Sequence, residues 1–316
     1  MTDTNHTTDN IRERARYALE SVEIGDPVHW RGLTLFPLTC PHSTEIEYDV
    51  LEDALEAGTV EITEVSTGGS VPDLIVNNTG DKHLLVLDGE ELVGGKQNRI
   101  LNISTLIPAK TKVTIPVSCV EAGRWNRLSQ RFSAGSFAPT KIRATLKADL
   151  IKHRSASNTF RANQPRVWRE VDYFMEDLRF ESPTNAMHEG FKAREKEIRD
   201  FHESLNLPES ATGYLACAGE LVLGGDLFDK PETLRRKWNR LFQSSIVEAL
   251  RFSGEVPATD RMIAERFLQN ATESISDTHY PPGIGKGVNI EGKEVLGSVL
   301  LADGQMVHAA LFPNVE

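Results

Sequence analysis

Cysteine is scarce in this chain: Cys40, Cys119 and Cys217 are the only three in 316 residues, and no two stand at CxxC spacing. An odd, scattered set supports neither a disulfide framework nor a zinc ribbon, so a reducing compartment is expected. Long apolar runs are missing too. No stretch approaches the roughly 18 consecutive apolar residues of a membrane span, and the polar start MTDTNHTTDN has no apolar leader core. Net positive charge is also lacking. A formal net charge of -11 argues against a broad nucleic-acid face, which needs clustered Lys and Arg. The expectation is a soluble cytoplasmic protein with neither a membrane nor a nucleic acid as partner.

A chain of 316 residues can bury a substantial core without covalent staples. Residues 1–22 read as a polar extension with a short helix. Residues 23–316 read as a single α+β domain, strand-rich over 23–125, helical over 126–210 and mixed over 211–316. Alternation predicts strands at 28–38, 59–65, 74–77, 83–93, 99–107 and 111–120. Gly68-Gly69, Asn78 to Asp81, Asp88-Gly89 and Pro108 to Lys110 carry the chemistry of hairpin turns between them. The middle shows apolar stripes at helical spacing: Ile142, Leu146 and Leu150; Val167, Val171, Phe174 and Leu178; Met187, Phe191, Ile198, Phe201 and Leu205. Ser182-Pro183 is expected to open the last of these. Asp229 with Glu232 resembles a capping box for a helix carrying Leu234, Leu241, Phe242, Ile246 and Ala249, which Ser253-Gly254 would end. The expected fold is a hairpin-rich antiparallel sheet or sandwich with the helical segment packed on it.

The most informative run is 84–125, LLVLDGEELVGGKQNRILNISTLIPAKTKVTIPVSCVEAGRW. Asp88-Gly89 is expected at the tip of an acidic hairpin, with Glu90 and Glu91 on opposite faces of the following strand. If Glu90 shares a pocket with Glu121, the two carboxyls can divide acid and base roles, or hold a divalent ion through oxygen. The other possibility is a solvated acidic turn. Arg99 and Arg124 suit bidentate anion binding, and Lys96 adds a point charge. Gln97, Asn98 and Asn102 can read neutral groups, and Trp125 can stack on a base or sugar or close a core. Against this, Arg99 can instead pair with Glu121 as a buried structural lock. Cys119 shares a face with Ile115 and Val117 and reads as a packed thiol.

An internal echo links LDGEELVGG (from Leu87), AGELVLGG (from Ala218), DGQMVHAA (from Asp303) and, more weakly, RGLTLFPL (from Arg31). Each places a turn between strands, so the copies are either hairpins of one sheet or turns that merely look alike. His308 in the third copy and Asp226 behind the second are further candidate site residues. A basic run from Arg124 through Arg127, Arg131, Lys141, Arg143, Lys147, Lys152 and Arg154 reads as the solvated face of helices or as an anion patch. GIGKG at 283–287 lacks Walker spacing and is not read as a phosphate loop.

The runs DGEELVGGKQNRILN and IPVSCVEAGRW, with GYLACAGELVLGGDLFDKPETLRRKW and VLLADGQMVHAALF, resemble the ARG and rhodanese-phosphatase-superfamily-associated protein domain. The resemblance covers most of the chain after about residue 25. Its name implies association with ADP-ribosylglycohydrolases and rhodanese-phosphatases, hence with ADP-ribose or phosphoesters, and it supplies no catalytic residues. The leading expectation is therefore a polar pocket for an ADP-ribose-like or phosphorylated small molecule, open to hydrolysis. There Glu90, Glu121, Asp88 and His308 would be catalytic, while Lys96, Gln97, Asn98, Arg99, Asn102, Arg124, Trp125 and Asp226 would bind the ligand. The alternative is a non-catalytic binding or assembly module that acts through partner proteins. Burial and mutual pairing of the charges would favour this second reading; an open cleft would favour the first.

Overall fold

The computed structural model describes residues 2–66, 72–157, 159–252 and 256–315, with side chains described except at 2–7 and 154–157. The Gly68-Gly69 turn and the Ser253-Gly254 helix end lie outside the described residues. The architecture is α+β, as the periodicity predicts: antiparallel sheets, including a curled half-barrel, with a central helical segment. Two compact units share the chain, one formed by Met1–Ile46, Glu197–Tyr280 and Gly285–Glu316, the other by Glu47–Lys196 and Pro281–Ile284.

The first unit is built on a nine-stranded antiparallel sheet. Its order is Glu23–Ile24, Leu33–Thr39, Gly213–Ala218, Leu221–Phe228, Gln305–Pro313, Val295–Ala302, Lys286–Glu291 and Ile275–His279, with Val28–Trp30 also paired to Leu33–Thr39. Three of the four echoed segments are hairpins of this one sheet, turning at Arg31-Gly32, at Gly219 and at Asp303-Gly304. Positive φ at each turn explains the recurring glycine. One sheet face is apolar. Phe36, Leu38, Leu215, Leu227, Val299 and Leu311 pack there against Ile11, Ala15 and Leu19 of the helix Thr2–Glu20 and against Phe267 of the helix Arg261–Glu273.

The helix Pro231–Ala249 buries Leu234, Leu241, Phe242, Ile246 and Ala249 as expected. Its cap differs from the expectation. Lys230 is the N-cap and makes no side-chain capping bond, since an ammonium offers no acceptor, and Pro231 follows it in the first turn. Asp229 is instead buried and accepts a hydrogen bond from the Thr44 hydroxyl.

The second unit holds two sheets. A six-stranded antiparallel sheet runs Ser133–Phe137, Glu90–Val93, Arg99–Leu101, Thr111–Cys119, Asp73–Asn78 and Val60–Glu64. A three-stranded sheet runs Thr105–Ile107, His83–Val86 and Tyr48–Val50, the last pair parallel. This corrects three turn assignments. The turns at 78–81, 88–89 and 108–110 join no hairpins; each carries the chain from one sheet to the other, so the strands expected at 83–93 and 99–107 are each broken in two. A tight corner and a tight hairpin use the same turn residues, and the pairing that separates them is non-local. The hairpin in this stretch joins Glu90–Val93 to Arg99–Leu101 through the loop at 94–98.

The central helix Thr140–Ser157 is buried at every position from 142 to 150, Arg143 and Lys147 included. The solvated-face expectation therefore fails for these two cations, although Arg127, Arg131 and Lys152 are exposed. The Arg154 side chain lies outside those described. The next helix, Gln164–Asp177, is capped by Asn163 and buries Val167, Val171, Phe174 and Met175. The stripe that follows is split between Met187–Ala193 and Glu195–Ser204. Ser182-Pro183 lies ahead of the first of these; the Ser182 hydroxyl accepts from the Ala186 amide in a turn, and the helix starts at Met187.

Candidate functional site

The residues selected between Asp88 and Trp125 do not form one open cleft. In the second unit they divide into a loop clasp, a buried charge cluster and an incompletely satisfied arginine.

The clasp is made by Arg124 and Glu121, three residues apart. Arg124 Nε donates to Glu121 Oε1 at 2.8 Å and Nη2 donates to Oε2. The other donors of Arg124 go to the carbonyls of Gly94, Gly95 and Asn126 and to Asn98 Oδ1. Glu121 Oε2 also accepts the Asn98 amide at 3.0 Å, and the Glu121 carbonyl accepts from Gln97 Nε2 at 2.8 Å. Burial pushes the Glu121 carboxyl pKa up, but hydrogen bonds from Arg124 and the Asn98 amide outweigh it and hold the value below normal. The result pins the 94–98 loop. Gly95 sits at φ +52, and a Cβ there would lie 2.3 Å from the Phe132 ring. Lys96 extends outward, its Nζ 5.2 Å from the centroid of the Trp125 ring, and Trp125 is 48% exposed. Asn102 is inside, bridging the Ser118 hydroxyl and the Phe160 carbonyl.

The charge cluster surrounds the corner after Leu87. Asp88 is no solvated tip: its Oδ1 accepts from the Ser104 hydroxyl at 2.8 Å and from Arg143 Nη2 at 3.4 Å, and Lys147 Nζ stands 3.3 Å from Oδ2. Arg143 and Lys147 are one helical turn apart and meet the same carboxylate. Gly89, at φ +85, lets the Arg143 stem approach, since a Cβ there would lie 2.6 Å from its Cγ and Cδ. Glu90 accepts the Leu87 amide at 2.7 Å and Glu91 the Ser136 amide at 3.0 Å. Both are buried, which removes the solvated-turn alternative. Glu90 and Glu121 thus hold different partners. Among the described residues, no three His, Cys, Asp or Glu side chains converge as a metal-ion site.

Arg99 is fully buried on the strand face it shares with Leu92 and Cys119. Its Nη1 donates to Gln97 Oε1 at 3.2 Å, while Nε and Nη2 have no partner among the described residues. The expected Arg99–Glu121 lock is therefore absent; Glu121 belongs to Arg124. Glu64 is close by: its Oε1 accepts the Lys96 amide at 3.1 Å, and its Oε2 is buried without a partner. The Cys119 thiol feels both charges. Burial pushes its pKa up to about 11, which Arg99 opposes and Glu64 reinforces. Cys119 should therefore resist iodoacetamide in the native protein at pH 7.5 and react once the chain is unfolded in urea. Labelling followed by mass spectrometry checks this, and rapid native labelling would refute it.

His308 and Asp226 lie in the first unit. They were selected separately, yet His308 Nε2 stands 3.0 Å from Asp226 Oδ1, both residues about 1% exposed, on adjacent strands. Sequence reasoning placed Arg143 and Lys147 only in the basic run, and it missed Ser104, Glu64 and His188, whose Nδ1 lies 3.4 Å from Asn98 Nδ2. No local pattern marks them, because each joins its group through non-local packing.

No helix among the described residues is long and apolar enough to cross a membrane. Comparison with curated proteins and with solved structures finds no match. The family model of the ARG and Rhodanese-Phosphatase-superfamily-associated Protein domain matches residues 21–312, and the chain belongs to that family.

Proposed function

We propose that the second unit binds a small anionic molecule, ADP-ribose-like or otherwise phosphorylated, with Arg99 as its anchor. One observation carries this reading: a guanidinium that stays charged at any physiological pH is fully buried with two of its three nitrogens unpartnered. Leaving buried donors of a charged group unsatisfied is costly, and a phosphate or carboxylate would take both free nitrogens in a fork. The free oxygen of Glu64 supplies an acceptor for a ligand hydroxyl. In this reading Arg124 positions the loop and does not touch the ligand, since its donors are engaged by the protein. Asp88 and Glu90 supply the carboxylates for a hydrolytic step, with Arg143 and Lys147 beside Asp88. The protein works in the cytoplasm, where its three buried cysteines remain thiols.

Thermal-shift titration of the parent and of Arg99→Met with inorganic phosphate and with ADP-ribose tests this. Ligand at 100-fold over Kd should add about 2.7 kcal/mol to the parent. Arg99→Met should lose that gain while its unliganded melting temperature holds or rises, because the unsatisfied buried donors are gone. Equal shifts in both proteins, no shift in the parent, or an unliganded variant that melts far below the parent would each overturn the proposal.

The burial and mutual pairing of Asp88 with Arg143 and Lys147, and of Glu121 with Arg124, support a second reading, a non-catalytic module that binds partner proteins. The segment pinned by Arg124 holds Trp125 and Leu128 in solvent, 48% and 68% exposed, and such anchors are common at interfaces. Under this reading Trp125→Ala would abolish partner binding while phosphate and ADP-ribose shift neither protein.

A further inference from the structure

The run GIGKG was set aside as a phosphate loop, and its lysine opens a strand, not a helix. Lys286 nonetheless faces something. In the first unit a cleft of about 600 Å³ is lined by Asn10 and Arg14 of the first helix, Gly285 and Lys286, and the Asp303-Gly304 turn. That volume suits a small metabolite. The Lys286 side chain is half-buried and has no hydrogen bond or ion pair among the described residues. Arg14 is positioned from one side: its Nε donates to Asn10 Oδ1 at 2.7 Å and its Nη1 to the Gly304 carbonyl at 3.1 Å, which leaves Nη2 for another acceptor. The turn is shaped for this contact. Gly304 has φ +75, and a Cβ there would lie 2.2 Å from Arg14 Nη1, so only glycine both makes the turn and admits the guanidinium. Asp303, exposed at the rim, is the acid among the lining residues.

We propose that this cleft binds a sugar phosphate, with the phosphate on Arg14 and Lys286 and a sugar hydroxyl donating to Asp303. A guanidinium nitrogen and an ammonium lining one cleft can together hold a phosphate, the first by a charge-assisted hydrogen bond and the second as a point charge. A carboxylate at the mouth disfavours a bare anion and favours one that carries hydroxyl donors. The site is distinct from the one anchored by Arg99 and does not rest on it.

Isothermal titration calorimetry of the full chain with ribose 5-phosphate and with inorganic phosphate tests the proposal. The parent should bind ribose 5-phosphate saturably and more tightly than inorganic phosphate. Lys286→Gln and Arg14→Gln should each weaken ribose 5-phosphate at least tenfold. The first should do so at an unchanged melting temperature, since Lys286 makes no bond that the fold needs. Asp303→Asn should remove the preference for the sugar and bind inorganic phosphate at least as tightly as the parent. Arg99→Met should bind like the parent, which separates this site from the one in the second unit. The proposal is overturned if the parent shows no saturable heat, if Lys286→Gln binds like the parent, or if binding disappears in Arg99→Met alone.

Discussion

Asp88→Ala is expected to lower stability by about 3–5 kcal/mol, the range for removing one partner of a buried ion pair. The side chain is 2% exposed and lies between Arg143, at 0%, and Lys147, at 4%. Without it two buried cations one helical turn apart lose the carboxylate they share, and the Ser104 hydroxyl loses its acceptor. Asp88→Asn keeps the shape and the Ser104 bond but not the charge, so it should fall between the parent and the alanine variant. Urea midpoints at constant m-value give the order. A loss below 1 kcal/mol for Asp88→Ala would mean that the cluster is not held together through this carboxylate. A triple variant separates stability from function. Replacing buried charges together by apolar residues of similar volume is often neutral or stabilising, so Asp88→Leu with Arg143→Met and Lys147→Met should recover part of the loss. Recovery without ligand binding would show that the charges serve the site and not the fold.

Much of the fold is legible in local pattern. Strands expected at 59–65, 74–77 and 111–120 are found at Val60–Glu64, Asp73–Asn78 and Thr111–Cys119, because alternation is a property of neighbours along the chain. The burial of Asp73–Asn78 alternates at every residue. Sheet membership is not local, and so Asp88-Gly89 passed for a hairpin tip when it is a corner between sheets. The same distinction runs through the site. Arg124 and Glu121 are only three residues apart, yet Glu121 was expected to pair with Arg99, because the sequence does not show which arginine the strand carries towards it. His308 was picked out by the internal echo and Asp226 by the Gly-Gly pair before it, and the pairing of their two strands brings them together. Arg143 and Lys147 could not be placed. A helix with a charge in each turn reads as a surface helix, and only the packed structure reveals that Thr140–Ser157 is enclosed on all sides from 142 to 150. Arg99 was recognised as a ligand-binding candidate, but its missing partners became visible only when Glu121 proved to be taken by Arg124.

Arg124→Ala should cost a similar amount, about 3–5 kcal/mol at pH 7, and its pH dependence distinguishes it. Six hydrogen bonds end on this guanidinium, which is 14% exposed. They tie Glu121 to both ends of the 94–98 loop. In the folded parent the Glu121 pKa lies below its ordinary value of 4.5, since the bonds from Arg124 and Asn98 outweigh burial. A lowered folded pKa contributes stability that is fully present above pH 4.5 and is lost as the pH falls through the folded value. In Arg124→Ala burial and the Asn98 amide bond remain but the guanidinium is gone, so the Glu121 carboxyl pKa rises relative to the parent. The ionised carboxylate then stabilises the variant less than the parent, and the difference fades as acid protonates it. The stability gap between parent and variant should accordingly be widest at pH 7 and should narrow steadily towards pH 3.5. Adding Glu121→Gln to the variant should make that part of the pH dependence disappear, because no carboxylate is left to strand. Urea denaturation of the three proteins across this range measures it. A gap constant from pH 7 to 3.5 would place the Arg124 contribution in its bonds to the Gly94, Gly95 and Asn126 carbonyls, with the ion pair to Glu121 contributing nothing.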